Sequence, residues 1–342
     1  MGPAARRLSA FVNRTGAVNG VPFASPVAMT PRHRARWTSW VHYGVMAPGL
    51  PEPHRWFGVM AILGTSGARC FDNDPAIRGT PRDTAYVVSG TATARDTAFR
   101  SYSMAEECEL RPDGGLLRFG DDDLVLEGHY PAVRVRRGGD APVALELDIS
   151  DKVAYFSRIP GVYDHWSLLA RYRGTVGGTP VAGLCTYEYA RGAGPYSLVR
   201  RPIPDWAKAP LRAFTYQVVN LDDESQLLLT VAGPRWGRYL HQGAWERGLD
   251  DYGAMHRDLS FEVTAHRPAP LITPDGRAMV MPQEWAWTVR DAHGAEIVAL
   301  ACAARDDWTF GLGAGYVGSF TSRGSVRGRP VDGVGYVELV SV

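Results

Sequence analysis

The sequence is poor in the features that mark several common classes of protein. Its 342 residues include four cysteines, widely spaced and without a Cys-x-x-Cys pair. This spacing excludes a disulfide scaffold and gives no support for a zinc or thioredoxin-like motif, so we expect reduced thiols. No run approaches the roughly 18 apolar residues of a membrane helix, and no apolar segment near the N-terminus predicts a signal peptide. We therefore expect a cytoplasmic protein without a membrane span.

The sequence also lacks an excess of charge of either sign. Lys and Arg number 37 against 36 Asp and Glu, and the formal net charge is +1. Nucleic-acid binding needs clustered Lys and Arg, whereas the short basic stretches at 32–36 and 134–137 are typical of solvated strand ends or turns. The nine histidines show no metal-ligand spacing, and no helix pattern follows the Gly-rich stretch at 311–315 to hold a phosphate. We therefore expect no nucleic-acid partner, no metal and no cofactor.

Helical periodicity is nearly absent as well, and the best helix candidate, at 246–256, is weak. What the sequence does contain is short runs rich in Val, Leu, Tyr, Trp and Phe, separated by Gly, Pro and Asp, a pattern typical of strands and turns. Such runs predict an all-β fold. They occur at 56–63, 124–127, 143–147, 166–172, 214–219, 226–231, 285–289 and 297–302, with two more around a turn at 327–330.

A short repeated sequence divides the strand-rich region. The quartet Pro-Val-x-Gly occurs at 180–183 and again at 330–333, each time after a strand and a Gly-containing turn. A match this short is also compatible with chance, but many short strands in two similar halves favour two antiparallel barrels. Three prolines predict a linker near residue 205. We therefore divide the chain into a flexible N-terminal tail (1–25), a first barrel (26–200), a Pro-rich linker (201–211) and a second barrel (212–342).

Two segments carry a family resemblance. The last strand reads Gly-Tyr-Val-Glu-Leu at 335–339, and Val-Ala-Gly at 181–183 leads through four residues to Glu188 and through three more to Gly192. Both resemble the carotenoid 1,2-hydratase and AttH-like family, with its closing Gly-Tyr-x-Glu-Leu and its Val-x-Gly, four residues, Asp, three residues, Gly. Glu188 stands in place of the Asp, and the family's Tyr-Trp-Glu-Gly is Tyr-Val-Gly-Ser at 316–319, without the acidic group. The resemblance implies tandem lipocalin-like barrels and relatives among hydratases, isoprenoid cyclases and Diels–Alderases that act on long apolar polyenes.

Glu188 is the first candidate for a catalytic residue. Strand alternation places Thr186, Glu188 and Ala190 on one face and Tyr187 on the other. If the small-residue face borders an apolar cavity, desolvation raises the pKa of Glu188 and keeps its carboxyl protonated, ready to donate a proton to an alkene or carbonyl. The alternative is a salt bridge between Glu188 and an arginine at the barrel rim.

Tyr187 and His165 complete the predicted catalytic set. A buried tyrosine or histidine can hydrogen-bond a substrate carbonyl, and an aspartate beside a histidine can orient its imidazole for acid–base work. Asp164 and His165, however, are adjacent on a strand and point to opposite faces. This arrangement favours an ordinary turn aspartate and a histidine at the barrel rim.

Aromatic residues are abundant, with 10 Trp, 15 Tyr and 11 Phe. Most must form barrel core, but a subset at a cavity would suit an apolar polyene, and their faces would stabilise a developing carbocation. The predicted substrate-binding residues are Trp40, Tyr43, Trp56, Tyr155, Trp166, Tyr189, Tyr216, Trp245 and Trp287.

Two functional hypotheses follow. The first is a cofactor-independent enzyme, monomeric or homodimeric, that binds a large apolar polyene, isoprenoid or polyketide-like substrate. It would promote cyclisation (including four-plus-two cycloaddition), hydration or isomerisation by shape and acid catalysis. The second is a non-catalytic carrier of a lipid or another hydrophobic small molecule. An ionisable group that points into the cavity favours the enzyme, whereas a purely apolar cavity favours the carrier.

Overall fold

The chain consists almost entirely of antiparallel β-strands, in a computed structural model that describes residues 15–25, 27–31, 37–95 and 97–342. Within these ranges there is no α-helix, and the all-β prediction is confirmed. The helical segments of the described residues are four 3₁₀ turns at Gly16–Val18, Asp74–Ala76, Pro195–Ser197 and Asp205–Ala207. The basic stretch at 32–36 and residues 1–14 of the predicted tail lie outside the described residues.

The first half of the chain forms one sheet of eleven strands. Their order across the sheet is β4-β3-β2-β1-β11-β10-β9-β8-β7-β6-β5. Strands β1 and β11, the first and last in the sequence, pair with each other, and the two edge strands, β4 and β5, are consecutive in the sequence. The sheet therefore curls into a nearly closed barrel. The strands are β1 (Trp40–Pro48), β2 (Trp56–Gly64), β3 (Thr84–Thr91), β4 (Phe99–Ser103), β5 (Cys108–Leu110), β6 (Leu116–Phe119), β7 (Leu124–His129), β8 (Ala132–Arg137), β9 (Val143–Ile159), β10 (Tyr163–Val176) and β11 (Thr179–Gly192).

The second half repeats this plan in a second nearly closed barrel. Its main order is β15-β14-β13-β12-β23-β22-β20-β19-β16, again with the first and last strands paired and with consecutive strands at the edges. Strand β21 pairs with β22 beside this path, and β17 and β18 form a separate ribbon. The strands are β12 (Ala213–Asn220), β13 (Ser225–Gly233), β14 (His241–Gly248), β15 (Ala254–His256), β16 (Asp258–His266), β17 (Leu271–Ile272), β18 (Ala278–Met279), β19 (Pro282–Arg290), β20 (Glu296–Ala304), β21 (Thr309–Leu312), β22 (Gly315–Val326) and β23 (Arg329–Ser341).

The strand predictions hold, but the weak helix prediction at 246–256 is wrong. That segment begins in β14 and ends in β15, with a turn between them. Trp245, the residue just before the predicted helix, pairs with Leu228 of β13 and is almost fully buried. Cross-strand packing of such a large side chain outweighs a weak helical preference.

Residues 15–25, which belong to the predicted N-terminal tail, contact both barrels. The Asn19 side-chain oxygen accepts hydrogen bonds from the Tyr155 backbone N–H (2.8 Å) and from the Trp245 indole N–H (3.1 Å). The Phe23 backbone N–H donates to a carbonyl of β9 (2.8 Å). The segment therefore links the first barrel to the second.

Two hydrophobic cores follow from the alternation of side chains along the strands. The interior of the first barrel forms one core, which includes Val41, Phe119 and Trp166. The interior of the second barrel is continuous with the outer face of β1–β3, so that Met60 belongs to the same core as Leu227. The barrels are thus joined through shared apolar packing, and side chains on the outer face of the first barrel can meet the second.

The closing hairpins of the two barrels have the same register. Gly174 pairs with Val181 in the β10–β11 hairpin, and Gly324 pairs with Val331 in the β22–β23 hairpin. The Pro-Val-x-Gly quartets therefore occupy equivalent positions in both halves. The exact tail, barrel and linker boundaries remain predictions. Across the described ranges, no helix is long and apolar enough to cross a bilayer.

Candidate active site

An apolar cavity of about 280 Å³ lies between the two barrels. Strands β1, β2, β9, β10 and β11 supply one wall, and β12, β13, β14 and β23 supply the other. Apolar side chains dominate the lining, yet two carboxyl groups, Glu188 and Glu338, reach it from opposite barrels. A cavity of this kind, at a junction between domains and with few polar groups, is typical of a small-molecule site.

The register of three neighbouring strands builds the polar part of this cavity. Glu188 lies on β11, between β1 and β10. His42 of β1 and His165 of β10 both pair with Ala190, two residues beyond Glu188. Because side chains two residues apart share a strand face, all three polar groups project on the same side of the sheet. The small side chain of Ala190 lies between the two imidazoles.

Glu188 is almost fully buried, and its partners come from both barrels. The hydroxyl of Tyr216 donates a hydrogen bond to Oε1 (2.6 Å), while Nε2 of His42 and Nε2 of His165 each lie 3.6 Å from Oε2. Burial alone would raise the pKa of Glu188, but the imidazoles of His165 and His42 outweigh it and hold the pKa below its usual range. The predicted protonated Glu188 is therefore wrong, because its polar partners were not visible in the sequence.

His165 lies in the cavity wall, while its neighbour Asp164 points away. Nδ1 of His165 is 2.8 Å from the Tyr163 hydroxyl, and burial lowers the pKa of the imidazole. Asp164 instead accepts two hydrogen bonds from the guanidinium of Arg191 (2.9 and 3.0 Å). The expectation that Asp164 and His165 form no direct pair is confirmed, and Tyr163 is the group that orients the histidine.

Glu338 is the second carboxyl group of the cavity, and it is not among the site residues predicted from the sequence. It lies on β23 opposite Tyr216 of β12, and its Oε1 accepts a hydrogen bond from the Tyr336 hydroxyl (3.2 Å). Burial, followed by the negative charge of Glu188, raises the pKa of Glu338 well above its usual range. A signal was present: Glu338 follows the second Pro-Val-x-Gly quartet at the same distance as Glu188 follows the first.

The pKa values of the two carboxyl groups are thus shifted in opposite directions although they share one cavity. His165 and His42 hold the pKa of the buried Glu188 low, whereas burial and the Glu188 charge raise the pKa of Glu338. Tyr216 keeps its proton, because burial and the Glu188 charge raise the pKa of its hydroxyl. Neighbouring titratable groups whose pKa values are driven apart are the usual arrangement of an acid and a base in an active site.

A third histidine lies in the same cavity but apart from Glu188. His241 stacks on Trp245 and meets the edge of Phe156, a ring that also contacts His165. Burial lowers the pKa of His241 to about 3, so its imidazole is neutral at physiological pH. His241 therefore adds a polar but uncharged group to the apolar wall.

Some of the residues predicted for the site line the cavity. They are Glu188 and His165 from the catalytic set, and Trp40 and Tyr216 from the substrate-binding set. The structure brings three of these, Glu188, His165 and Tyr216, into one cluster. Their roles in binding and catalysis remain predictions.

The other predicted residues lie in the barrel cores. Tyr43, Tyr155, Trp166, Tyr187 and Tyr189 belong to the first barrel's interior. Each is next in sequence to a residue that lines the cavity, so strand pleating turns its side chain to the opposite side. The three remaining tryptophans, Trp56, Trp245 and Trp287, belong to the shared core.

The comparison with protein families matches most of the chain. The model of a family of unknown function (DUF6670) matches residues 60–342. The chain belongs to this family. The matched region includes all of the second barrel and every strand of the first barrel except β1 and the beginning of β2. No curated protein matches the chain.

Solved structures show the same fold at low sequence identity. Kievitone hydratase from Nectria haematococca is 13% identical, with a TM-score of 0.55 over 95% of each chain. An AttH-like protein from Nitrosomonas europaea is 12% identical, with a TM-score of 0.52 over 94% of this chain and 98% of that one. At this level the likeness concerns the fold, and it confirms the tandem lipocalin-like architecture that the resemblance implied.

Proposed function

We propose that the chain is an enzyme that protonates an unsaturated apolar small molecule in the cavity between the barrels and thereby promotes its hydration. Isomerisation and cyclisation begin with the same proton transfer and are the related outcomes. The observation that carries the proposal is the pair of buried carboxyl groups, Glu188 and Glu338, whose pKa values are shifted in opposite directions at one apolar cavity. The hydratase among the structures of similar fold supports the same reaction class.

Glu338 is the proposed general acid. Its carboxyl is almost fully buried, and burial raises its pKa well above the usual range, which favours the protonated form that can give its proton to one carbon of an alkene. The negative charge of Glu188 on the other barrel stabilises the positive charge that develops on the second carbon. This step requires only side chains of the chain itself.

The cluster of His42, His165 and Glu188 is the proposed site for the water. The oxygen of the added water bonds to the second carbon, and the proton that the water releases passes to this cluster. Transfer of a proton back to Glu338 through solvent completes the cycle. The reverse sequence of steps eliminates water from an alcohol. The apolar walls hold the substrate close to both groups and reduce the entropic barrier.

The second candidate function is a carrier of hydrophobic small molecules. The apolar lining of the cavity supports it, since binding alone needs no ionisable group. The two buried carboxyl groups argue against it, because each costs free energy of desolvation that a carrier has no use for.

Isotope labelling separates the two candidates even when the structure of the product is not known. The full chain is incubated in D₂O with a panel of linear polyenes and prenylated phenols, and the mixtures are examined by mass spectrometry. After deuterium on hydroxyl groups has been exchanged back in H₂O, an enzyme yields a product that retains carbon-bound deuterium, with or without the added mass of water, which a parallel incubation without the chain lacks. Ligand binding without any change of mass across the panel would favour the carrier.

The variant Glu188→Gln is expected to reduce turnover about 100-fold, because positioned proton transfer contributes at least about this factor. Gln keeps the size of Glu188 and can still accept the Tyr216 hydrogen bond. Ligand affinity and melting temperature should therefore stay near those of the wild type. Turnover equal to that of the wild type would remove Glu188 from the mechanism and leave the shape of the cavity as its role.

A further inference from the structure

We propose that His42, His165 and Glu188 form a binding site for a divalent transition-metal ion such as Zn²⁺. The three residues come from adjacent strands, and one ligand atom of each lies within 4.8 Å of the others. Two imidazoles and one carboxylate are a donor set that suits Zn²⁺ and related ions. The inference goes beyond the proposed function, because metal binding can be measured without any substrate.

The spacing of the donor atoms matches a metal better than a set of hydrogen bonds. Nε2 of each histidine lies 3.6 Å from Oε2 of Glu188, which is too long for a hydrogen bond. Ligands about 2.0–2.2 Å from a tetrahedral zinc ion lie about 3.3–3.6 Å from one another. The two imidazole–carboxylate separations therefore match a tetrahedral ion, and all three ligand atoms lie within 4.8 Å of one another. Nε2 of His165 is buried and has no hydrogen-bond partner in the described part of the chain, and a metal would satisfy it.

The surrounding groups orient two of the three donors. The Tyr163 hydroxyl is hydrogen-bonded to Nδ1 of His165 (2.8 Å), which leaves Nε2 directed at the cluster. The Tyr216 hydroxyl donates to Oε1 of Glu188 (2.6 Å), which leaves Oε2 for the ion. Outer hydrogen bonds of this kind fix the tautomer and orientation of metal ligands. All three donor residues line the apolar cavity, so a fourth position would face the bound substrate.

Titration of the metal alone tests the site. The full chain is first treated with a chelator and then titrated with Zn²⁺ by calorimetry and with Co²⁺ by visible absorption, which reports the ligand geometry. The wild type is expected to bind one equivalent of each ion, with a tetrahedral Co²⁺ spectrum. His165→Gln and His42→Gln should each weaken binding by more than about 100-fold, and Tyr163→Phe by about 10-fold, the effect of losing an outer hydrogen bond.

His241→Phe is the matched control, because His241 lies in the same cavity but outside the cluster. It should retain wild-type metal affinity. Far-ultraviolet circular dichroism identifies any variant that fails to fold. In that case the stoichiometry of metal binding by the wild type and its Co²⁺ spectrum test the proposal. Absence of binding by the wild type at micromolar concentrations, or binding that survives His165→Gln, overturns the proposal.

The metal proposal and the proposed function fail in different ways. Turnover that persists in chelator, together with no metal binding by the wild type, removes the metal and leaves the enzyme. Stoichiometric metal binding without turnover on any tested alkene leaves the metal site and removes the proposed reaction.

Discussion

Replacement of Glu338 by Gln is expected to reduce turnover about 1,000-fold, because general acid catalysis contributes about 10²–10⁴-fold and an amide has no proton to give. The fold should tolerate the change. Because burial raises the pKa of Glu338 and so favours its uncharged form, Gln resembles it in charge and size and can still accept the hydrogen bond from Tyr336. Ligand affinity, measured by quenching of tryptophan fluorescence, should remain within a few-fold of that of the wild type.

Glu246→Gln is the matched control for this variant. Glu246 is a largely buried carboxyl group of the same barrel, but it is hydrogen-bonded to His256 and Arg327 away from the cavity. Its replacement should leave turnover unchanged. If Glu338→Gln retained wild-type turnover, Glu338 would not be the acid, and the proton would have to come from another group.

The pH profile gives an independent readout of Glu338. Burial and the Glu188 charge raise the pKa of its carboxyl, so the acid is active below that pKa and activity is lost as the pH rises through it. The free energy of unfolding also decreases as the pH rises. Above the ordinary carboxyl pKa, the unfolded chain releases a proton that the folded chain retains, so wild-type stability falls as the pH rises toward the folded value. Glu338→Gln should lose this fall in stability as well as turnover.

The sequence predicted the fold well because strand formation is encoded locally. Alternating side chains, turn residues and the repeated quartet each depend on neighbours in the chain, and the observed strands contain every predicted run. Trp245 shows the limit of local signals. Its burial depends on pairing with β13, which the local pattern does not encode, and the helix predicted just after it is therefore incorrect.

The site was predicted only in part because the cavity lies between the barrels. Glu188 could be placed on a strand face, but nothing in the sequence indicated that this face looks outward from its own barrel toward Tyr216. His42 had no signal at all, since its neighbours in the cluster belong to strands that are distant in the sequence but adjacent in the sheet. The sequence did contain a signal for Glu338, because the internal repeat makes it the counterpart of Glu188.

The repeat also predicts where the two hairpins are least tolerant of substitution. Gly324 has φ of +152°, and a Cβ at this position would lie 1.9 Å from the carbonyl oxygen of Ala299 on the paired strand. Its counterpart Gly174 has φ of +153° and the same 1.9 Å approach to the carbonyl of Ala144. We expect Gly324→Ala to destabilise the second barrel by about 3 kcal/mol, from backbone strain and from the steric clash with a neighbouring strand.

Gly333, in the same hairpin, provides the control for denaturant unfolding. A Cβ there would meet no atom within 4 Å, so Gly333→Ala should change the free energy of unfolding by less than about 0.5 kcal/mol. Gly174→Ala should cost as much as Gly324→Ala, because the two glycines hold equivalent positions in the β10–β11 and β22–β23 hairpins. Equal stability of Gly324→Ala and Gly333→Ala would contradict the close approach of Gly324 on β22 to Ala299 on β20.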